Sequence, residues 1–210
     1  MELTSQEGRV LGCLVEKQLT TPQLYPLTDN ALIAACNQST SRDPVVAYDV
    51  STVRIAARSL REKGLLRMVH RTGERSEKHQ HLLDSSLALS QAQMTLLAVL
   101  LLRGPQTLAE LRARSERMHP FDTAAQVQEA LDALADRDDP LVVRLERAPG
   151  RKEVRYGQLL VDDDEAHHVT QLPNVPAPPD SVTLGDLVRE VELLRDEVAE
   201  LRTLVDGLRA

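Results

Sequence analysis

Hydrophobic and polar positions along the chain follow one order twice, and a different pattern ends the chain. In residues 1–85, apolar residues recur at helical spacing in three successive segments, and two short strand-like segments then flank a Gly-containing turn. Residues 86–160 repeat this order. Three helices followed by a β-hairpin are typical of the winged helix, a variant of the helix-turn-helix. The pattern therefore predicts a mainly α fold with small β-hairpin wings, organised as two tandem winged-helix domains at 1–85 and 86–160.

The boundaries in the first repeat are predicted from capping residues and helix breakers. Ser5 and Ser51 are the expected N-caps of the first and third helices, and Gly64 ends the third. The three helices and two hairpin arms are expected at 5–18, from Thr28 or Asp29 onward, at 52–63, at 65–71 and at 78–83. Residues 37–44 are polar and form a long connector between the second and third helices.

The second repeat carries the same signals more plainly. Ser90 precedes a long apolar run that ends at Arg103-Gly104-Pro105, so a helix is predicted between them. The remaining predicted boundaries are the caps Thr107 and Asp122 or Thr123, and the hairpin arms 141–147 and 153–160.

The last 50 residues follow neither repeat. Residues 161–183 are acidic and contain four prolines, which predicts a linker. In residues 184–210, Leu and Val alternate at steps of three and four, which is a heptad seam with Leu at every d position. The seam consists of Leu184, Leu187, Val191, Leu194, Val198, Leu201, Val205 and Leu208. This pattern predicts a parallel coiled coil between two copies of the chain; the alternative is an amphipathic helix folded back on its own domains.

Charge and composition narrow the function classes. The net charge of −7 arises in residues 161–210, which carry 12 Asp and Glu against 4 Lys and Arg, whereas residues 1–85 carry 10 against 11. The folded repeats are therefore neither strongly basic nor acidic. Aromatic residues make up only 2% of the chain, which argues against base-stacking platforms for single strands.

The cellular location is also predicted from composition. Cys13 and Cys36 fall in helical apolar patterns and are expected to be free core thiols in a reducing compartment. The longest apolar run, 94–102, is too short to span a membrane, and no basic-then-apolar leader precedes the first helix. We therefore expect a cytoplasmic protein that does not contact a membrane.

Basic residues of the first repeat suggest a surface for duplex DNA. The third helix of a winged helix enters the major groove, and an arginine fork matches both phosphates and guanine edges. The candidate DNA-contacting residues are Arg54, Arg58 and Arg61 on the third helix and Arg71, Arg75 and Lys78 at the wing. The alternative is an ordinary solvated face, since Glu62, Glu74 and Glu77 offset the charge. In the second repeat the third helix is acidic, so that repeat is expected to pack against protein.

Residues that could carry catalysis form no recognisable site. His70, His79 and His81 lie near the first wing without Cys or carboxylate partners at metal-ligand spacing. The chain has neither a Gly-rich phosphate loop nor a nucleophile elbow. We expect no catalytic, cofactor or metal site, and thus a protein that is not an enzyme.

Three segments resemble the YceH-like family of bacterial proteins. They are EKQLTTPQLYPLTDNALIAACNQSTSRDPV from residue 16, LLLRG with the following TLAELRAR, and PLVVRLERAPGRKEVRY from residue 140. The resemblance covers about residues 3–160 and implies two tandem winged-helix domains in a bacterial cytoplasmic protein, without implying a particular activity. It does not extend to the linker or the heptad segment.

The polar residues of the first matching segment have two readings. One is a binding site built from Tyr25, Asn30, Asn37, Gln38 and Arg42. The other, which we favour, is structural: Asn37 caps a helix end, and Arg42 with Asp43 fixes the long connector.

The leading hypothesis from the sequence is a non-enzymatic homodimer that binds duplex DNA through its first domain, as a transcriptional regulator would. The alternative is an assembly module whose winged helices bind other proteins without touching DNA.

Overall fold

The computed structural model describes residues 2–70, 76–145 and 153–161. They belong to the first of two compact units, residues 1–170; the second, residues 171–210, lies outside the described residues, as do the linker from residue 162 and the whole heptad seam. The pairing predicted for the seam therefore stays a prediction.

Helices dominate the described residues, with two small antiparallel sheets beside them. The helices are α1 (Ser5–Thr20), α2 (Asp29–Cys36), α3 (Val50–Glu62), α4 (Leu83–Ser86), α5 (Gln91–Arg103), α6 (Leu108–Ser115) and α7 (Ala124–Ala135). The strands are β1 (Leu66–Val69), β2 (Lys78–His81), β3 (Gln106–Thr107), β4 (Val142–Arg144) and β5 (Arg155–Gln158). The first part of the chain has three helices followed by a hairpin; in the second part, α4 and β3 are added to the same predicted order.

Local capping chemistry sets most of the helix starts. Thr28, Ser90, Thr107 and Thr123 are N-caps, as their types and positions predict. The predicted caps Ser5 and Ser51 are wrong.

In both cases a nearby residue makes the capping bonds instead. Thr4 caps α1: its hydroxyl accepts from the Glu7 backbone N–H at 3.2 Å, and the Glu7 carboxylate accepts from the Thr4 N–H at 2.8 Å. Asp49 caps α3 by accepting from the Thr52 N–H at 2.7 Å. Both helices therefore begin earlier than the cap assignments suggest, α3 at Val50.

The sheets pair as hairpins and gain one strand that the sequence does not predict. β1 pairs with β2, with Leu66 opposite His81. The second sheet has the order β3-β5-β4, in which β3 is only two residues long. The described strands are shorter than the predicted arms, and residues 71–75 and 146–152, where the hairpin turns are predicted, lie outside the described residues.

The two repeats share one apolar core, in which α1 packs along α5. Gly8 and Gly12 face this contact, and a Cβ at Gly12 would lie 2.9 Å from Leu102 Cγ. The backbone N–H of Leu3 donates to Leu160 O at 2.7 Å, which joins the start of the first repeat to the end of the second. No described helix is long and apolar enough to cross a membrane.

Candidate nucleic-acid interface

The exposed side of α3 follows directly from its helical period. Val53, Ala56, Ala57 and Leu60 are at most 3% exposed and pack inward, as the sequence predicts. We call the opposite surface the α3 face; it consists of Val50, Ser51, Arg54, Ile55, Arg58, Arg61 and Glu62, all exposed. The three arginines lie along this one side, as their steps of four and three require.

Arg54 is held by residues from two other elements. Its Nε donates to Asp29 Oδ2 at 2.7 Å, and the other carboxylate oxygen, Oδ1, lies 2.6 Å from Nε2 of His79. Asp29 is the first residue of α2 and His79 lies in β2. This arrangement joins the exposed helix face to the first hairpin through one carboxylate.

The electrostatics of this contact favour an ionised carboxylate. The hydrogen bond from His79 is the largest cause and lowers the pKa of Asp29; burial opposes it, and the bond and charge of Arg54 lower the pKa further. The Arg54 side chain remains 63% exposed while that of His79 is 6% exposed. One end of the arrangement is thus buried, and the other projects toward solvent.

Arg58 has a simpler environment. Its Nε donates to Glu62 Oε1 at 3.1 Å, one turn along the same helix, and these side chains are 74% and 64% exposed. Such exposed pairs contribute about 0.5 kcal/mol or less. Arg61 is also exposed, on the flank of the same face.

The hairpin residues of the predicted DNA-contacting set are only partly described. Lys78 is half-buried on β2, opposite Val69 on β1. Arg71 and Arg75 lie outside the described residues. The hairpin adds one cation that the sequence prediction omitted: Arg67 of β1 is exposed, and its Nε donates to Gln80 Oε1 at 3.2 Å.

Two apolar side chains share the α3 face with the arginines. Ile55 is 70% exposed and Val50 is 47% exposed. The hydrophobic pattern does not distinguish these two residues, because an apolar residue on the outer side of a helix leaves the spacing of the inward residues unchanged. An exposed branched side chain between arginines suits contact with a thymine methyl group or with an apolar patch of a protein.

The corresponding helix of the second repeat has a different surface. Glu129, Asp132 and Asp136 of the α7 region are exposed, as predicted, while Gln128 is half-buried and accepts from the Tyr156 hydroxyl at 2.7 Å. A row of carboxylates repels the DNA backbone. Any contact of this repeat with DNA would have to avoid α7.

The structural reading of the polar connector residues is confirmed for Asn37 and Arg42. Asn37 is the C-cap of α2, and its side chain donates to Tyr48 O and accepts from Tyr48 N, both at 2.8 Å. Arg42 binds both oxygens of Glu16, at 3.0 and 2.6 Å, and the carbonyl of Ala35. These bonds fix the connector between α2 and α3, and thereby the position of α3.

Cys13, Cys36 and His81 of the first repeat fill structural positions. Cys13 and Cys36 are free and buried, as predicted, and Cys13 Sγ donates to Ala35 O. His81 is buried against Gln18, and burial lowers its pKa to about 4. The described residues contain no group of three or more His, Cys, Asp and Glu side chains that could hold a metal ion.

Asp29 and His79 are the members of the arrangement that sequence reasoning missed in this role. Asp29 was assigned only as a possible helix cap, and His79 only as one of three histidines without partners. Arg54 lies 25 residues from Asp29 in the chain, and His79 lies 50 residues from it. No local spacing rule connects residues that far apart.

A family model and several full-length relatives match this chain. The model described as "Protein of unknown function, DUF480" matches residues 3–151. A UPF0502 protein of Pelobacter propionicus is 45% identical over 214 residues, which cover 100% of this chain and 97% of the relative. A UPF0502 protein of Geobacter metallireducens is 50% identical over 182 residues, which cover 87% and 81%.

The resemblance to the YceH-like family is confirmed by these matches. The "UPF0502 protein YceH" of Salmonella typhimurium is 44% identical over 214 residues, which cover 100% of this chain and 97% of the relative. That alignment also includes residues 161–210, which the resemblance read from the sequence does not reach. Residues 161–210 therefore align with residues of this relative.

Proposed function

Because the chain belongs to the DUF480 family, whose description names no activity, we propose its function from the α3 face: the protein binds duplex DNA. The first repeat acts as a winged-helix domain that places α3 in the major groove. The second repeat is a tandem winged helix that supports the first through the shared core.

The position of α3 in its repeat supports this proposal. It is the third helix, it follows α2 after a connector fixed by Asn37 and Arg42, and a hairpin comes next. In helix-turn-helix proteins this helix contacts base edges while the neighbouring elements touch the backbone. A fixed connector keeps the face in one orientation, which sequence-specific contact requires.

The single observation that carries the proposal is the row of Arg54, Arg58 and Arg61 along one exposed side of α3. Glu62 is the one carboxylate within the helix and lies at its end. The Arg58–Glu62 pair is exposed, so a phosphate replaces Glu62 at little energetic cost.

A charge-matched pair of variants tests the proposal. Arg58→Ala/Arg61→Ala removes two cations from the α3 face, and Arg117→Ala/Arg144→Ala removes two exposed cations from the second repeat. We expect the first variant to bind labelled genomic duplex fragments at least tenfold more weakly than the second at the same salt concentration. Equal affinities for the two variants would contradict binding through α3.

The alternative, a protein-binding assembly module, is favoured by the exposed Ile55 and by the carboxylates of α7. Replacing Ile55 with Ser separates the two functions. If α3 binds DNA, Ile55→Ser changes the base preference at one position and leaves the preference at the others unchanged. If α3 is the centre of a protein interface, the same substitution removes most of the affinity for the partner.

A further inference from the structure

Asp29 connects three elements of the first repeat through both oxygens of one carboxylate. Oδ1 lies 2.6 Å from His79 Nε2 and Oδ2 lies 2.7 Å from Arg54 Nε. The lowered pKa keeps the Asp29 carboxylate ionised, and an ionised carboxylate only accepts hydrogen bonds. The proton shared by Asp29 and His79 is therefore on Nε2 of His79.

The His79 end of this arrangement is anchored in the fold. His79 is 5% exposed, its backbone N–H donates to Leu27 O at 2.7 Å, and its carbonyl accepts from the Leu27 N–H at 3.1 Å. Asp29 follows Leu27 by two residues, at the start of α2. The carboxylate therefore has a defined position relative to α2 and β2 before any ligand arrives.

The bond to Nε restricts how Arg54 presents its guanidinium. The five N–H groups form a planar fork, and the bond of Nε to Asp29 fixes one edge of that plane. The two terminal nitrogens, Nη1 and Nη2, form the opposite end of the fork. Two parallel N–H donors at this spacing match the O6 and N7 acceptors of guanine in the major groove.

We propose that Asp29 is the specificity-determining partner of Arg54: it orients the guanidinium so that Nη1 and Nη2 contact one guanine of the bound duplex. This assignment rests on the proposed function. Phosphates, which accept hydrogen bonds from many directions, require no such orientation, so Asp29 acts on base preference more than on total affinity.

The Arg58–Glu62 pair provides the contrast. Both of its residues belong to α3 and both are more than 60% exposed, so the pair is free to rearrange when a phosphate approaches. Glu62→Gln and Asp29→Asn each remove one negative charge next to an arginine of the α3 face. Only the second substitution removes an acceptor that a buried histidine holds in place.

The test is selection from a pool of duplexes with a randomised centre, carried out with the full chain. Wild type, Asp29→Asn, Arg54→Lys and the control Glu62→Gln each select duplexes, which are then sequenced. Asn has one acceptor oxygen for the two donors that Asp29 serves, and Lys keeps the charge of Arg54 without the fork. Thermal unfolding identifies any variant that does not fold.

Wild type and Glu62→Gln are expected to enrich the same motif, with a guanine at one position. Asp29→Asn and Arg54→Lys are expected to lose about tenfold of the preference at that position and to retain the others. An Asp29→Asn/Arg54→Lys double variant, selected in the same way, should lose no more of the preference than Arg54→Lys alone, because both substitutions remove the same contact. Arg54→Lys serves as the test of the guanine contact if Asp29→Asn does not fold.

Two results would overturn the assignment in distinguishable ways. If Asp29→Asn enriches the wild-type motif with unchanged preference, or if Arg54→Lys does, the role of this pair is refuted while DNA binding stands. If wild type retains no duplex above the level of an unrelated protein, the proposed function fails and the assignment fails with it.

Discussion

Arg42 illustrates how a charged residue stabilises the connector from inside the protein. Its side chain is 0% exposed and forms two bonds with the Glu16 carboxylate, one of them only 2.6 Å long. Further bonds go to Ala35 O, Ser41 O and Gln38 Oε1. A buried guanidinium is tolerated only when such partners replace its water.

Removing the carboxylate leaves that charge without its counterion. We expect Glu16→Gln to lower the free energy of unfolding by about 3 kcal/mol, because removing one partner of a buried ion pair leaves the other charge buried without a counterion. Glu62→Gln, which breaks the exposed pair with Arg58, is the control and should change it by less than about 0.5 kcal/mol. Urea denaturation of both variants measures the difference, and similar values would refute the account.

His81 predicts how stability depends on pH. Its Nδ1 accepts from the Leu83 N–H at 3.3 Å, so protonation of the buried ring removes an acceptor. Burial lowers its pKa from 6.5 to about 4. The unfolded chain therefore takes up a proton before the folded one, and stability falls as pH decreases from 6.5 toward 4.

The expected loss over that window is on the order of 1–3 kcal/mol. Urea midpoints measured from pH 7 to pH 4 should decline in wild type and decline less in His81→Gln. His70→Gln removes an exposed histidine of the same hairpin and should follow wild type. A His81→Gln profile parallel to wild type would assign the pH dependence to other groups.

Sequence reasoning succeeded for residues whose partners are close along the chain and failed for distant ones. Asn37 was assigned correctly to a helix end because capping is a local property of a residue type. The Asp29 bonds to Arg54 and His79 depend on the packing of α2, α3 and β2, which the sequence does not order in space. Likewise, helical spacing predicts that Arg54, Arg58 and Arg61 share one side of α3, but it does not predict the bond that orients Arg54.

The α1–α5 contact depends on two glycines one turn apart. Gly8 and Gly12 let α5 approach closely: a Cβ at Gly8 would lie 3.3 Å from Leu101 Cδ2, and one at Gly12 would lie 2.9 Å from Leu102 Cγ. In an unconstrained helix, glycine is about 1 kcal/mol less favourable than alanine. These positions therefore give up helix propensity for close packing of the two repeats.

We expect Gly12→Ala to destabilise the protein by about 1–3 kcal/mol, because the added methyl group overpacks Leu102. Thermal unfolding of Gly12→Ala, Leu102→Ala and the double variant forms a cycle. Shortening Leu102 should relieve most of the Gly12→Ala penalty. A stabilising Gly12→Ala, as propensity alone predicts, would show that the two helices are less closely packed.

Element types were predicted well, and element ends less well. The inward set of α3 and the caps Ser90 and Thr107 follow from period and local chemistry. Thr4 was missed because Ser5 beside it is an equally good cap type; the signal that distinguishes them is Glu7, three residues after Thr4. β3 was missed because a two-residue strand has no period to detect.

Charge is distributed unevenly along the whole chain. Residues 161–210 hold the acidic excess, while α3 of the first repeat presents arginines and α7 of the second presents carboxylates. In the proposed DNA-binding function, the second repeat would serve as a support, and the acidic segment would limit non-specific attachment to nucleic acid. A second copy of the chain would double the number of α3 faces on a duplex.

The heptad seam predicts that the full chain is a homodimer. Leu194 is a d position of the seam, whereas Leu193 next to it lies outside the seam. We expect Leu194→Asp to convert the dimer to a monomer in sedimentation velocity, and Leu193→Asp to leave it dimeric. The fold-back alternative predicts a monomeric wild type, and that result would contradict pairing through the seam.

The salt dependence of duplex binding tests the central claim most directly. Six cations are proposed to contact DNA: Arg54, Arg58, Arg61, Arg71, Arg75 and Lys78. Arg54 is assigned to a guanine, so if the other five neutralise about five phosphates per chain, the logarithm of the affinity should fall against the logarithm of salt concentration with a slope of roughly −4.5. A slope of this size for wild type would establish DNA binding through counterion release. A slope near zero, or no measurable affinity at low salt, would contradict it.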